Sequence, residues 1–138
     1  MNNQLLWPMA IQILLTLLVF IPLGKRKKAA VDAGTADLSR TALDNSAWPD
    51  EVLKVSNNIQ NQFQLPVLFY ALCLGFMVNN SVSLIVIGLA WAFSVTRIAH
   101  AYVHINSNYI PHRMGLFSLG LLCLLAMTII MIVQLAQG

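Results

Sequence analysis

Long apolar runs alternate with short polar breaks along this chain, and four of the runs are long enough to cross a bilayer. A spanning helix needs about 20 mostly apolar residues. The pattern predicts helices over residues 4–24, 56–78, 83–104 and 114–135, with 25–54 as the one long loop. The second run differs from the others in being polar in its first half and apolar in its second. Trp48-Pro49-Asp50-Glu51 reads as its start, with proline in the first turn and acids at the positive end of the helix dipole. That helix is therefore predicted to begin before the membrane. The expected fold class is all-α: one domain, an integral membrane four-helix bundle.

Composition sharpens this picture. The chain is 58% hydrophobic and only 9% charged, whereas a soluble domain carries about 25% charged residues. Eleven of the thirteen formal charges sit between Lys25 and Lys54, and the other two are Arg97 and Arg113. Lys25-Arg26-Lys27-Lys28 follows the first apolar run, whereas a signal peptide has its basic residues ahead of the run, so a retained helix is expected. Basic residues close to helix ends mark the cytoplasmic side. The 25–54 loop and Arg113 then share the cytoplasmic face, and both termini are predicted to be non-cytoplasmic, in a bacterial-type inner membrane. The loop itself is expected to be solvated and partly mobile. A net charge of +3 thus reports topology; no basic stripe interleaves with aromatics, so nucleic acid is not an expected partner. Cys73 and Cys123 fall in apolar runs and read as small buried hydrophobes rather than a disulfide.

Candidate chemistry lies in two polar stripes. Residues 57–64 hold six amide side chains in eight positions. Asn57, Asn61 and Gln64 follow i, i+4, i+7 spacing and are predicted to share one helix face. In the third run Arg97, His100 and His104 follow i, i+3, i+7 spacing. Gln64 and Arg97 each lie seven residues, about 10 Å, from the cytoplasmic end of their stripe. A very short outer turn makes the two helices antiparallel neighbours. A polar cavity open to the cytoplasm is expected between them, with Arg113 at its rim.

Amides between membrane helices commonly serve as interhelical hydrogen bonds. A cation such as Arg97, with no acid in any membrane segment, needs a carbonyl or a bound anion instead. His100-Ala-Tyr-Val-His104 lacks the glutamate of a metalloprotease helix, and no carboxylate or cysteine is at hand, so no metal site is expected. Proton-coupled export would need an intramembrane acid, and all five acids are in the loop. Met127, Met131, Tyr102, Tyr109 and Phe117 read as packing or interface residues.

Arg97-Ile-Ala-His100, followed by Pro111-His112-Arg113, together with four runs, a long first loop and a polar opening to helix two, resembles the MAPEG family. These are the membrane-associated proteins in eicosanoid and glutathione metabolism. The local match is to the prostaglandin E synthase and microsomal glutathione transferase branch, where an Arg-x-x-His is followed, sixteen residues after its arginine, by the arginine that activates a thiol. Arg97 and Arg113 have that separation. The resemblance implies a homotrimer with sites between subunits, glutathione as co-substrate, and a lipophilic electrophile arriving from the membrane lipids. It assigns Arg113 to thiolate stabilisation, and thiol binding to Asn57, Asn61, Gln64, Arg97, His100 and His104. The chain departs from the family frame Arg-x-x-x-Asn-x-x-Glu, reading Asn57-x-x-x-Asn61-x-x-Gln64, and has His104 where a tyrosine is usual. The expected function is a thiol transferase or peroxidase-like enzyme. The alternative is a non-catalytic scaffold, or an anionic-lipid-binding protein, that retains the fold.

Overall fold

The computed structural model describes residues 2–137 and is helical, with no strand among them. A 3-10 turn over Asn2–Leu5 leads into α1 (Leu6–Asp32). A short α2 (Leu38–Thr41) and a 3-10 turn at Asn45–Ala47 follow. Then come α3 (Asp50–Gln62), α4 (Leu65–Val78), α5 (Leu84–Ile105) and α6 (Ile110–Gln137). Four segments are long and apolar enough to span a membrane: Asn3–Asp32, Asp50–Val78, Leu84–Ile105 and Ile110–Gln137.

Two expectations about the elements need correction. The first helix does not stop at residue 24 but continues eight residues further, so the basic run Lys25 to Lys28 is helical rather than the start of a loop. Lysine, arginine and alanine are good helix formers, and no glycine or proline follows Gly24 until Gly34. Gly34, at φ +70°, then ends the segment in the left-handed region. The remaining connection is structured by local caps. Asp37 accepts from the Ser39 N–H and hydroxyl, and Asp44 does the same with Ser46. The Ser39 and Ser46 hydrogen bonds hold both carboxyls below the usual carboxylate range. Both caps are therefore complete at neutral pH and are lost only as pH falls through those lowered values. Lys27 Nζ lies 4.8 Å from the centre of the Trp48 ring and clasps the connection to α1.

The second correction concerns helix two, which is not continuous. Pro66 has no N–H for the Gln62 carbonyl, and its ring crowds that carbonyl. The helix tightens at Phe63 and Gln64, whose N–H groups bond Gln60 O and Asn61 O, and restarts as α4. The break divides a polar α3 from an apolar α4.

Packing follows that division. The apolar core gathers Phe69, Cys73 and Phe76 of α4, Val86, Ala90 and Phe93 of α5, and Leu124 and Met127 of α6. Phe69 stacks on Phe93 with ring centres 4.5 Å apart. Gly120 lets α6 approach α5 closely: a Cβ there would stand 3.3 Å from Thr96 Oγ1. Cys73 is buried and Cys123 half-buried, and both are free thiols. At the other end Arg26 ties three helices together. Its Nη1 donates to Glu51 O at 2.9 Å and its Nη2 to Ile105 O at 3.0 Å. A cation at the carbonyl end of α5 also complements that helix's dipole.

Candidate functional site

Pro66 also shapes the polar end of the bundle. In an unbroken helix the Asn61 carbonyl would accept from residue 65. Here it accepts from Gln64 N at 3.3 Å and from Arg97 Nη2 at 3.4 Å. Arg97 is fully buried, and its Nε and Nη1 have no partner. The predicted meeting of the two polar stripes thus occurs in part through a backbone carbonyl.

Beside this contact lies a pocket of about 330 Å³, lined by Asn57, Gln60 and Asn61 of α3, His100 and His104 of α5, and Arg113, Met114, Phe117 and Ser118 of α6. That volume is at the low end for small-ligand sites. Arg113 stands in the first turn of α6, where its Nη1 donates to Asn108 Oδ1 at 2.7 Å. Asn108 is in the left-handed region, φ 51°, as its short amide side chain allows. The turn between α5 and α6 therefore aims the rim arginine.

Five of the predicted residues, Asn57, Asn61, His100, His104 and Arg113, come together in this pocket. Two do not line it. Gln64 is exposed and lies beyond the break, with φ −104° and ψ −100°, so it leaves the face that Asn57 and Asn61 share. Arg97 sits behind the wall. Gln60 and Phe117 do line the pocket, and Phe117 lies 6.1 Å from His100, ring centre to ring centre. Gln60 was legible in the amide run. Phe117 reads as a packing residue in the sequence, because an aromatic in an apolar run carries no signal of its own.

A buried chain of amides stands behind the histidines. Gln12 Nε2 donates to Gln62 Oε1 at 2.8 Å, and Gln62 Nε2 to Asn58 Oδ1 at 3.1 Å. Asn58 Nδ2 lies 3.4 Å from His104 Nδ1, as does Asn61 Nδ2. With both amides donating, His104 Nδ1 accepts and Nε2 carries the ring proton. Gln12, Asn58, Gln62 and His104 are all at most 2% exposed. Replacing one link strands its neighbours without water. Gln62→Leu is expected to lower stability by about 1–3 kcal/mol, read as a drop in the thermal midpoint in detergent. The double change with Gln12→Leu should recover part of that loss; a further drop would show that the amides do not act as one chain.

His100 and His104 meet edge-on, ring centres 5.5 Å apart. Among the described residues no three histidine, cysteine or acidic side chains gather as metal ligands. Along α6, one turn past Phe117 and Ser118, a second cavity of about 410 Å³ opens between α4 and α6. Leu68, Leu72, Leu121 and Leu125 line it, with Thr128 as a polar exception.

An integral membrane protein with an apolar bundle and a polar, arginine-rimmed pocket at one end is the class these features define. A model of the MAPEG family matches residues 4–133, and the chain belongs to that family. No curated protein and no solved structure matches it.

Proposed function

We propose that the protein is a membrane-embedded thiol transferase of the type represented by the prostaglandin E synthase and microsomal glutathione transferase branch. The observation that carries this reading is the placement of Arg113, sixteen residues after Arg97 as the resemblance to the family asks, on a pocket of neutral polar groups that adjoins an apolar groove on the same helix. A guanidinium stays charged at working pH. Set at the edge of a low-dielectric bundle, it favours the thiolate over the thiol, and the thiolate is the nucleophile. Asn57, Asn61, His100 and His104 hold the thiol-bearing molecule by hydrogen bonds. The groove takes a lipophilic electrophile that has partitioned into the bilayer.

The thiol loses its proton to water. The sulfur then bonds to the electrophilic carbon, and the leaving group departs with its electron pair. With a hydroperoxide the same thiolate attacks the terminal oxygen, the O–O bond breaks and the alkoxide takes a proton to leave as the alcohol; a second thiol then attacks the resulting sulfenic acid, forming the disulfide and releasing water. Glutathione is the family's co-substrate and the first thiol to test. The pocket faces the cytoplasm by the distribution of basic residues, and three copies assemble with the open side of each pocket against a neighbour.

The test is turnover in lipid nanodiscs with a thiol panel and 1-chloro-2,4-dinitrobenzene, following thioether absorbance. A saturable rate above empty nanodiscs supports the transferase. A rate equal to the empty control for every thiol, with anionic lipid retained through purification, would replace it with the lipid-binding scaffold. Native mass spectrometry of the same sample is expected to show three copies of the 15.3 kDa chain.

A further inference from the structure

The buried amides behind the histidines form a chain with a sense. Gln12 of α1 donates to Gln62, Gln62 donates to Asn58, and Asn58 turns its own N–H group to His104 Nδ1. Asn61, whose backbone carbonyl is held by Arg97, aims a second N–H group at the same nitrogen. Every link thus points from the first helix toward the pocket. This sense leaves Gln12 Oε1 without a partner. The opposite sense would bury a Gln12 NH2 group there with both N–H bonds unmet, and unmet N–H groups are the rarer defect among buried amides.

Aligned hydrogen bonds polarise one another, so such a chain strengthens the donor at its end. Gln12, Gln62, Asn58 and His104 are at most 2% exposed within the single chain, so the links are complete before any neighbouring copy is added. His104 itself lines the pocket. With two donors filling Nδ1 from α3, Nε2 is the ring nitrogen left for a ligand, and it carries the ring proton. An imidazole held this way offers an N–H group. It has no free lone pair with which to take a proton from a thiol.

Resting on the transferase reading, we infer that Gln12, Gln62 and Asn58 are positioning residues that fix His104 as a neutral imidazole, donating its Nε2–H to the bound thiol compound and kept from acting as a base. None of the three lines the pocket; each acts through the next. The thiol's proton passes to water instead.

The test is nitrogen NMR on the full-length protein in nanodiscs, isotope-labelled at its three histidines. It is paired with the rate of conjugation of glutathione, cysteine or 2-mercaptoethanol, whichever turns over fastest, to 1-chloro-2,4-dinitrobenzene. The signals lost in His104→Gln belong to His104. In the parent they are expected to be a pyridine-type Nδ1 and a pyrrole-type Nε2. His104→Leu should lower the rate by about 10–100-fold, the worth of a hydrogen bond to a charged acceptor. His104→Gln keeps a neutral N–H donor and should lose roughly tenfold less. The double change Gln12→Leu with Gln62→Leu separates positioning from structure. It recovers part of the thermal midpoint lost in Gln62→Leu alone, yet its rate is expected to stay about 2–10-fold below the parent's, with a second set of His104 signals from the Nδ1–H tautomer. A parent His104 protonated on Nδ1, or a double variant whose rate returns to the parent's along with its midpoint, overturns this inference and leaves the transferase reading standing. A parent that turns over none of the three thiols overturns both.

Discussion

Arg113→Ala is expected to lower the rate of thiol conjugation by about 10²–10³-fold, the usual cost of removing one group aimed at a reacting charge. The fold should survive. Arg113 is half-buried at the head of α6 and its one protein partner is Asn108 in the adjoining turn, so its loss strands no buried donor. Thermal midpoint and mass of the assembly should stay within error of the parent. The pH profile carries a second signature. With the cation gone the thiol returns toward its free pKa of about 8.5, so the variant's rate should climb steeply above pH 8 where the parent's has levelled off. Loss of assembly instead of activity would make Arg113 a structural residue and leave the scaffold reading in possession.

The second large effect has an unusual sign. Arg97→Met is expected to stabilise the protein while reducing its activity. The guanidinium is fully enclosed, makes one 3.4 Å bond to a backbone carbonyl, and leaves Nε and Nη1 unmet. Burying charge without compensation costs several kcal/mol, and exchanging such a group for an apolar one of similar volume often stabilises by about 1–4 kcal/mol. The place of Arg97 is behind the pocket wall, where it bonds the Asn61 carbonyl and adds positive potential. Unfolding by heat in detergent reads the stability and the nanodisc assay reads the rate. A fall in midpoint would show that Arg97 anchors α3 to α5.

Much of this architecture was legible from the chain alone because membranes enforce simple rules. Apolar length located the four spans, the second of them with a polar first half, and the isolation of Arg97 and Arg113 pointed to the end of the bundle where the pocket lies. The pairing of polar stripes at one depth also emerged from spacing, since i, i+3 and i+4 positions must share a face. The failures have equally definite causes. Gln64 shares the Asn57 face only in a continuous helix, and Pro66, two residues on, breaks it. Hydropathy falls after Gly24, but helix one continues to Asp32 because a basic run is as good a helix former as an apolar one. Gln12, a lone amide in an apolar run, belongs to a chain of side chains drawn from three helices, and such a chain has no linear signature.

The interruption at Phe63 and Gln64 bears on how this chain can vary. In a continuous helix, inserting or deleting one residue rotates everything downstream by about 100°, which would turn Phe69, Cys73 and Phe76 out of the core. Here the two irregular residues absorb such a change. Within Asp50–Gln62 the exposed Asn57 and Gln60 can be exchanged to change the pocket lining without touching the buried Asn58 and Gln62, while Leu65–Val78 keeps its packing against α6. Ligand preference and bilayer anchoring are thereby written in separately adjustable stretches of what is, in space, a single membrane crossing.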